Sequence, residues 1–347
     1  MIKKKKSGIK DRLKTNIEKL NKKVLIPTRI WLSKNIFRRT SVVVKKTFQG
    51  IFSFKKIIIM TIIILFLPLL FSISGTGVDF DLVSSHHAAT AISISLAFPI
   101  FFWSLGLSYT IFIGVSGGPL IADEIKTGTM LILISKPISR IKIFIGKYIG
   151  LYLYGMLLSF VSIFFIGWLG VLIQSGNFDH FIALTPFLTA LFLYSLFILF
   201  LFSSITMALS SVFEKSRNAS LGILLIVIFS YVAFLIIRLI ASIGDNFYEM
   251  FQLYHFDLGY HLGNIFIFFI ESLEAIPPSL NWQLLFGMMT GVYSTDSPID
   301  PDQNINLGGL EKTNYYLPIF SLLIWLLIAI LLLAFGIIRL RKRDISI

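Results

Sequence analysis

Six stretches of this chain are too apolar and too long to form the core of a water-soluble domain. They lie near residues 57–74, 90–118, 142–173, 184–210, 219–242 and 317–338. A helix needs about 20 apolar residues to cross the hydrocarbon layer. Inside that layer the backbone must satisfy its own hydrogen bonds, which a helix does within one segment. The sequence therefore predicts an all-α polytopic membrane protein with six transmembrane helices. Composition points the same way: hydrophobic residues make up 56% of the chain and charged residues 14%, against about 45–50% and 25% in soluble domains. With no cysteine, a disulfide framework, thiol chemistry and cysteine-held metal are excluded.

The net charge of +13 would suit a nucleic-acid binder if it were gathered on one folded surface. It is not. Eighteen of the 31 basic residues precede Ile57, and the others fall almost entirely in short segments between apolar runs. The 119–141 and 211–218 connections and the tail from Arg339 are basic or mixed, whereas 75–89, 174–183 and 243–316 together hold one basic residue, Lys312. That alternation is the positive-inside pattern and predicts both termini in the cytoplasm, with no nucleic-acid partner. No small-residue cleavage pattern follows the first apolar run, which is expected to remain in the membrane. The organisation read from the chain is a basic tail and interfacial amphipathic helix (1–56), helices one to five (57–242) with a loop at 119–141, an extracytoplasmic segment (243–316), and a sixth helix with a basic tail (317–347). Lys3 to Lys6 open a solvated tail, where each basic residue near an anionic lipid surface contributes about 1 kcal/mol of attraction.

Several spans are interrupted. Pro68 and Pro99 each remove a helical donor and permit a kink. The second span is rich in Gly and Ser, which predicts close helix packing. Arg238, near the outer end of the fifth span, is expected to snorkel to the interface. The 243–316 segment holds nine acids. Its run Ile265 to Ile270 is too short for a further span, so short helices resting on the outer surface are expected. The stretch Asp296 to Asp302 fits no EF-hand spacing and reads as a solvated loop.

Chemistry of the usual kinds is missing from the sequence. There is no GxxxxGK[ST] phosphate loop and no HExxH, and the five histidines (His86, His87, His180, His255 and His261) do not fall at helical metal-binding spacing. The chain is expected not to be an enzyme and to bind no cofactor itself.

One stretch is neither a clean span nor an ordinary loop: Pro119 to Lys147, PLIADEIKTGTMLILISKPISRIKIFIGK. An acid, Glu124, stands near the end of the second apolar run. Gly128-Thr129 follows, then the apolar patch Met130 to Ile134, a Pro-x-x-Arg turn from Pro137 to Arg140, and Gly146-Lys147 as the third run begins. In order and spacing this resembles the permease subunits of ABC-2 type transporters. The basic amphipathic leading helix, the six spans and the short basic loop holding Lys215 and Arg217 resemble them too, although Lys45-Lys46-Thr47 stands where the family often has an acid. The resemblance implies a membrane subunit, in export, driven by a separate cytoplasmic ABC ATPase dimer that holds the ATP and Mg. It also implies pairing with a second permease subunit in the cell membrane, among lipids. The coupling loop would comprise Glu124, Gly128, Thr129, Met130, Leu131, Leu133, Ile134, Pro137, Arg140 and Lys147. Thr129 is expected to cap a short helix to about Ser135 that presents Met130, Leu131, Leu133 and Ile134 to a cleft. Pro137 turns the chain, Ser139 caps the third span, and Glu124 pairs with Lys126, Arg140 or a partner's Arg. The rival readings are a non-transporting sensor or assembly anchor, and an ATP-independent channel or carrier. The last is disfavoured because, apart from Arg238, no ionisable residue within a span is read as a coupling site for it.

Overall fold

The computed structural model describes residues 40–74, 79–80, 82–130, 138–241, 247–276, 280–294 and 310–343. Among them there is no β-strand, only an isolated bridge between Tyr293 and Lys312. Helix α1 covers 40–51. Six helices long and apolar enough to cross a membrane follow: α2 (Phe54–Ile73), α3 (Ser85–Lys126), α4 (Arg140–Ile173), α6 (Thr185–Val212), α7 (Ser216–Arg238) and α11 (Pro318–Lys342). The short α5 (Phe178–Ala183) leads into α6. The segment between α7 and α11 contains α8 (Phe247–Met250), α9 (Leu258–Ser272) and α10 (Leu280–Thr290). Helix α6 is the hub, packed on α3, α4, α7, α9 and α11. At the other extreme, α11 turns Phe320, Leu323, Leu327, Ile330 and Leu331 outward, each more than half exposed, which suits contact with hydrocarbon.

The interrupted spans are repaired by their neighbours. Pro68 has no N–H to give the carbonyl of Ile64. That carbonyl instead accepts from Ser104 Oγ at 2.7 Å, and the adjacent Ile63 carbonyl accepts from Trp103 Nε1 at 2.8 Å. Both donors lie in α3 where it widens to a π-helix over Ile100–Ser108, directly after Pro99. A second π-helical stretch, Phe229–Ala233 in α7, faces it. The small residues of α3 do pack closely: added Cβ atoms at Gly106, Gly114 and Gly118 would meet Tyr231, Ile223 and Ser220 of α7 at 2.9, 2.4 and 2.5 Å.

The segment between α7 and α11 departs from the sequence reading. Helix α9 does not rest on a surface; it is inserted between α6 and α11, with eleven of its residues buried. Its Phe266 ring lies 5.1 Å from Phe101, 5.0 Å from Tyr194 and 5.5 Å from Phe286 of α10. Phe101 is sixteen residues into α3, so the contact lies ~24 Å along that helix at 1.5 Å per residue. The run is too short to span, but its polar groups find partners among the spans. Asn264 Nδ2 donates to the Tyr316 carbonyl at 2.9 Å, and His261 Nδ1 is 3.0 Å from Ser321 Oγ. Arg238 also differs from expectation. Instead of snorkelling it is buried, ion-paired with Asp257 and donating to the Met289 carbonyl, so it ties α7 to both inserted helices. The hairpin offers a carboxylate and a carbonyl where snorkelling would offer only water. The stretch Asp296 to Asp302 lies outside the described residues.

Helix α1 is amphipathic as expected, with Lys45 and Lys46 exposed and Thr47 buried. It lies on α4 rather than against lipid alone. An added Cβ at Gly150 would meet Thr47 Cβ at 2.7 Å and the Val44 carbonyl at 3.0 Å; one at Gly146 would meet Val43 at 2.8 Å. Such close approach is what a Gly-x-x-x-Gly face permits. Gly150→Val is therefore expected to lift α1 from α4, read as faster tryptic cleavage at Lys45 and Lys46 in the solubilised protein. Cleavage at the unaltered rate would contradict this seat.

Candidate coupling site

The second span does not stop at Pro119. Pro at the first position of a helical turn costs no hydrogen bond, and the helix runs on as Pro119–Lys126. The segment expected as a loop from 119 is therefore helical over its first eight residues. Ser210, on α6, holds this junction. Its hydroxyl accepts from the Ile121 and Ala122 amides, both at 3.1 Å, and donates to the Gly118 carbonyl at 2.7 Å. One side chain from another span thus supplies what a local cap normally would.

The extension ends at Gly128. The Thr127 amide donates to the Asp123 carbonyl at 2.8 Å and the Gly128 amide to Ile125 at 3.2 Å, while Gly128 takes a φ of +70°. A left-handed residue after the last turn is the usual helix stop, and glycine adopts it without a steric cost. Thr129 then turns back: its hydroxyl lies 3.0 Å from that of Thr127 and donates to the Glu124 carbonyl at 3.4 Å.

Glu124 pairs with Lys147, not with Lys126 or Arg140. Lys147 also donates to the Leu120 carbonyl, so one ammonium on α4 fastens both the side chain and the backbone of the extension. The Lys147 side chain is 5% exposed and that of Glu124 29%. A carboxylate partly open to water facing an ammonium that is not explains why Lys147, fixed about two turns inside α4, is the partner that needs the pair.

Arg140 is committed elsewhere. Its Nη1 donates to the carbonyls of Leu340, Arg341 and Arg343, the last at 2.7 Å. Ser139 occupies the position before α4 but its hydroxyl makes no capping bond there. Met130 is fully buried, which removes it from the surface expected to face a cleft; it packs into the main core. Leu131, Leu133, Ile134 and Pro137 lie outside the described residues. Sequence reasoning missed Ser210 altogether. The only signal for it was Pro119, which announces free amides in the next turn without saying who receives them.

The described residues thus form a bundle of six helices long and apolar enough to cross a membrane, with a stapled helical extension after the second. The family described as ABC-2 family transporter protein matches residues 109–345, and the chain belongs to that family: it is a multi-pass membrane permease of an ABC transporter. Comparison with curated proteins gives no match.

Proposed function

We propose that this permease moves substrate outward, driven by ATP hydrolysed on a separate cytoplasmic ABC ATPase dimer that holds the nucleotide and Mg. The observation that carries the reading is the extension at 119–126, a lever at the basic end joined to α4 through Glu124–Lys147 and to α6 through Ser210. A displacement delivered to the following loop reaches three spans without passing through flexible chain. The basic end faces the cytoplasm by the positive-inside rule, where an ATPase resides, and both termini lie on that side of the cell membrane. Two permease subunits enclose the path. Export as the direction follows from the family resemblance.

The test is purification of the tagged full chain from its native membranes. A subunit carrying GxxxxGK[ST] is expected to co-purify, with ATP turnover that is lost from the preparation when Gly128–Thr129 is deleted from the permease. A preparation with no such subunit and no ATP turnover would favour a sensor or anchor and sink the reading.

A further inference from the structure

The last four carbonyls of a helix have no amide donors within it, and a guanidinium placed there satisfies them while facing the negative end of the helix dipole. This chain does so twice at one end of the bundle, each time across spans. Arg140, in the first turn of α4, donates to the Leu340, Arg341 and Arg343 carbonyls at the end of α11. Arg343, just past the end of α11, donates to the Ser211 carbonyl at 3.0 Å and the Val212 carbonyl at 3.3 Å, the last two residues of α6. Its Nη2 lies 3.2 Å from Glu214. The Arg343 side chain is 11% exposed although Glu214 is 81% exposed, so the backbone carbonyls and not the surface carboxylate set its place. Residue 210, which holds the 119–126 extension, is immediately before the capped pair.

We propose that Arg140 and Arg343 form a two-guanidinium clamp that makes the basic ends of α4, α6 and α11 one moving block, and that they are positioning residues delivering the coupling displacement to the sixth span. The delivery half of this proposal rests on the ATPase-driven reading above; the clamp itself does not. Helix α11 already packs along α6 and α4, and the two guanidiniums add directional bonds between their basic ends.

The absence of native cysteine allows paired nitroxide labels in the full chain, in lipid nanodiscs and diluted with unlabelled chain. Three pairs are read: Lys142→Cys with Lys342→Cys, Lys215→Cys with Lys342→Cys, and Lys55→Cys with Lys342→Cys as the outside reference. Without nucleotide, adding Arg343→Ala is expected to broaden the 215–342 distance distribution and spare 142–342. Arg140→Ala is expected to do the reverse, and Arg343→Lys to retain most of the native width. Unchanged 215–342 distances in Arg343→Ala would overturn the clamp. With the co-purified ATPase, ATP and vanadate, the 55–342 distance is expected to shift while the two clamp distances do not; clamp distances shifting as far as the reference would overturn the block. If no pair responds to nucleotide, the ATPase-driven reading falls and delivery to the sixth span with it, while the nucleotide-free comparison still decides the clamp.

Discussion

Asp257→Ala is expected to lower the unfolding stability of the solubilised permease by about 4 kcal/mol, within the range for removing one partner of a buried ion pair. The Asp257 carboxylate is fully buried and serves three donors: Arg238, the Tyr248 hydroxyl at 2.8 Å and the Tyr260 amide at 3.0 Å. Its loss leaves a guanidinium 9% exposed with one carbonyl partner and uncaps α9. Asp257→Asn keeps a side-chain oxygen for the Tyr260 amide, and asparagine caps about as well as aspartate. The asparagine variant is therefore expected to recover about 1 kcal/mol, the worth of the cap, but not the charge. Thermal unfolding of the two variants in one detergent measures the difference. Equal losses would mean the cap contributes nothing, and a loss in Asp257→Ala no larger than about 0.5 kcal/mol, the size of an ordinary surface substitution, would show that the pair does not hold the inserted helices.

The second large effect is asymmetric. Glu124→Ala is expected to cost about 3 kcal/mol and Lys147→Met about half of that. Removing the acid strands an ammonium that is 5% exposed; removing the base frees a carboxylate that is 29% exposed and reaches water. Methionine also keeps the apolar stem of the lysine in place. Because the two residues touch, the double variant is expected to cost less than the sum of the single ones. Apparent unfolding temperatures of the wild type, both single variants and the double variant complete the cycle. If the losses simply add, or Lys147→Met is the more damaging, the asymmetric burial does not govern this site.

What could be read from the chain, and what could not, divides along a physical line. The six spans were legible because 20-residue apolar runs have one structural solution in lipid. The Gly128 stop was legible because it is local. The insertion of α9 was not: nothing in Ile265 to Ile270 says whether a short apolar run lies on a bundle or inside it. The deciding partners, Ser321 and the Tyr316 carbonyl, stand more than fifty residues away. Arg238 failed for the same reason, since a lone charge near a span end offers no hint of an acid nineteen residues on. At the candidate coupling segment the pairings differ from those expected. Sequence proximity suggested Lys126 and Arg140 for Glu124, whereas helix geometry brings Lys147 across from the next span. Met130 looked exposed only because its hydrophobic neighbours could not be placed against a core.

The hydrogen bonds from Trp103 and Ser104 to the Ile63 and Ile64 carbonyls restrict how the first two spans can travel. An ordinary pair of helices, each satisfied internally, slides in lipid with little penalty. Here any slip of α2 along α3 leaves the Ile64 carbonyl bare in hydrocarbon, since Pro68 can never reclaim it. The two helices therefore share a single axial setting near mid-depth, and a tilt about that pin is the motion open to α2.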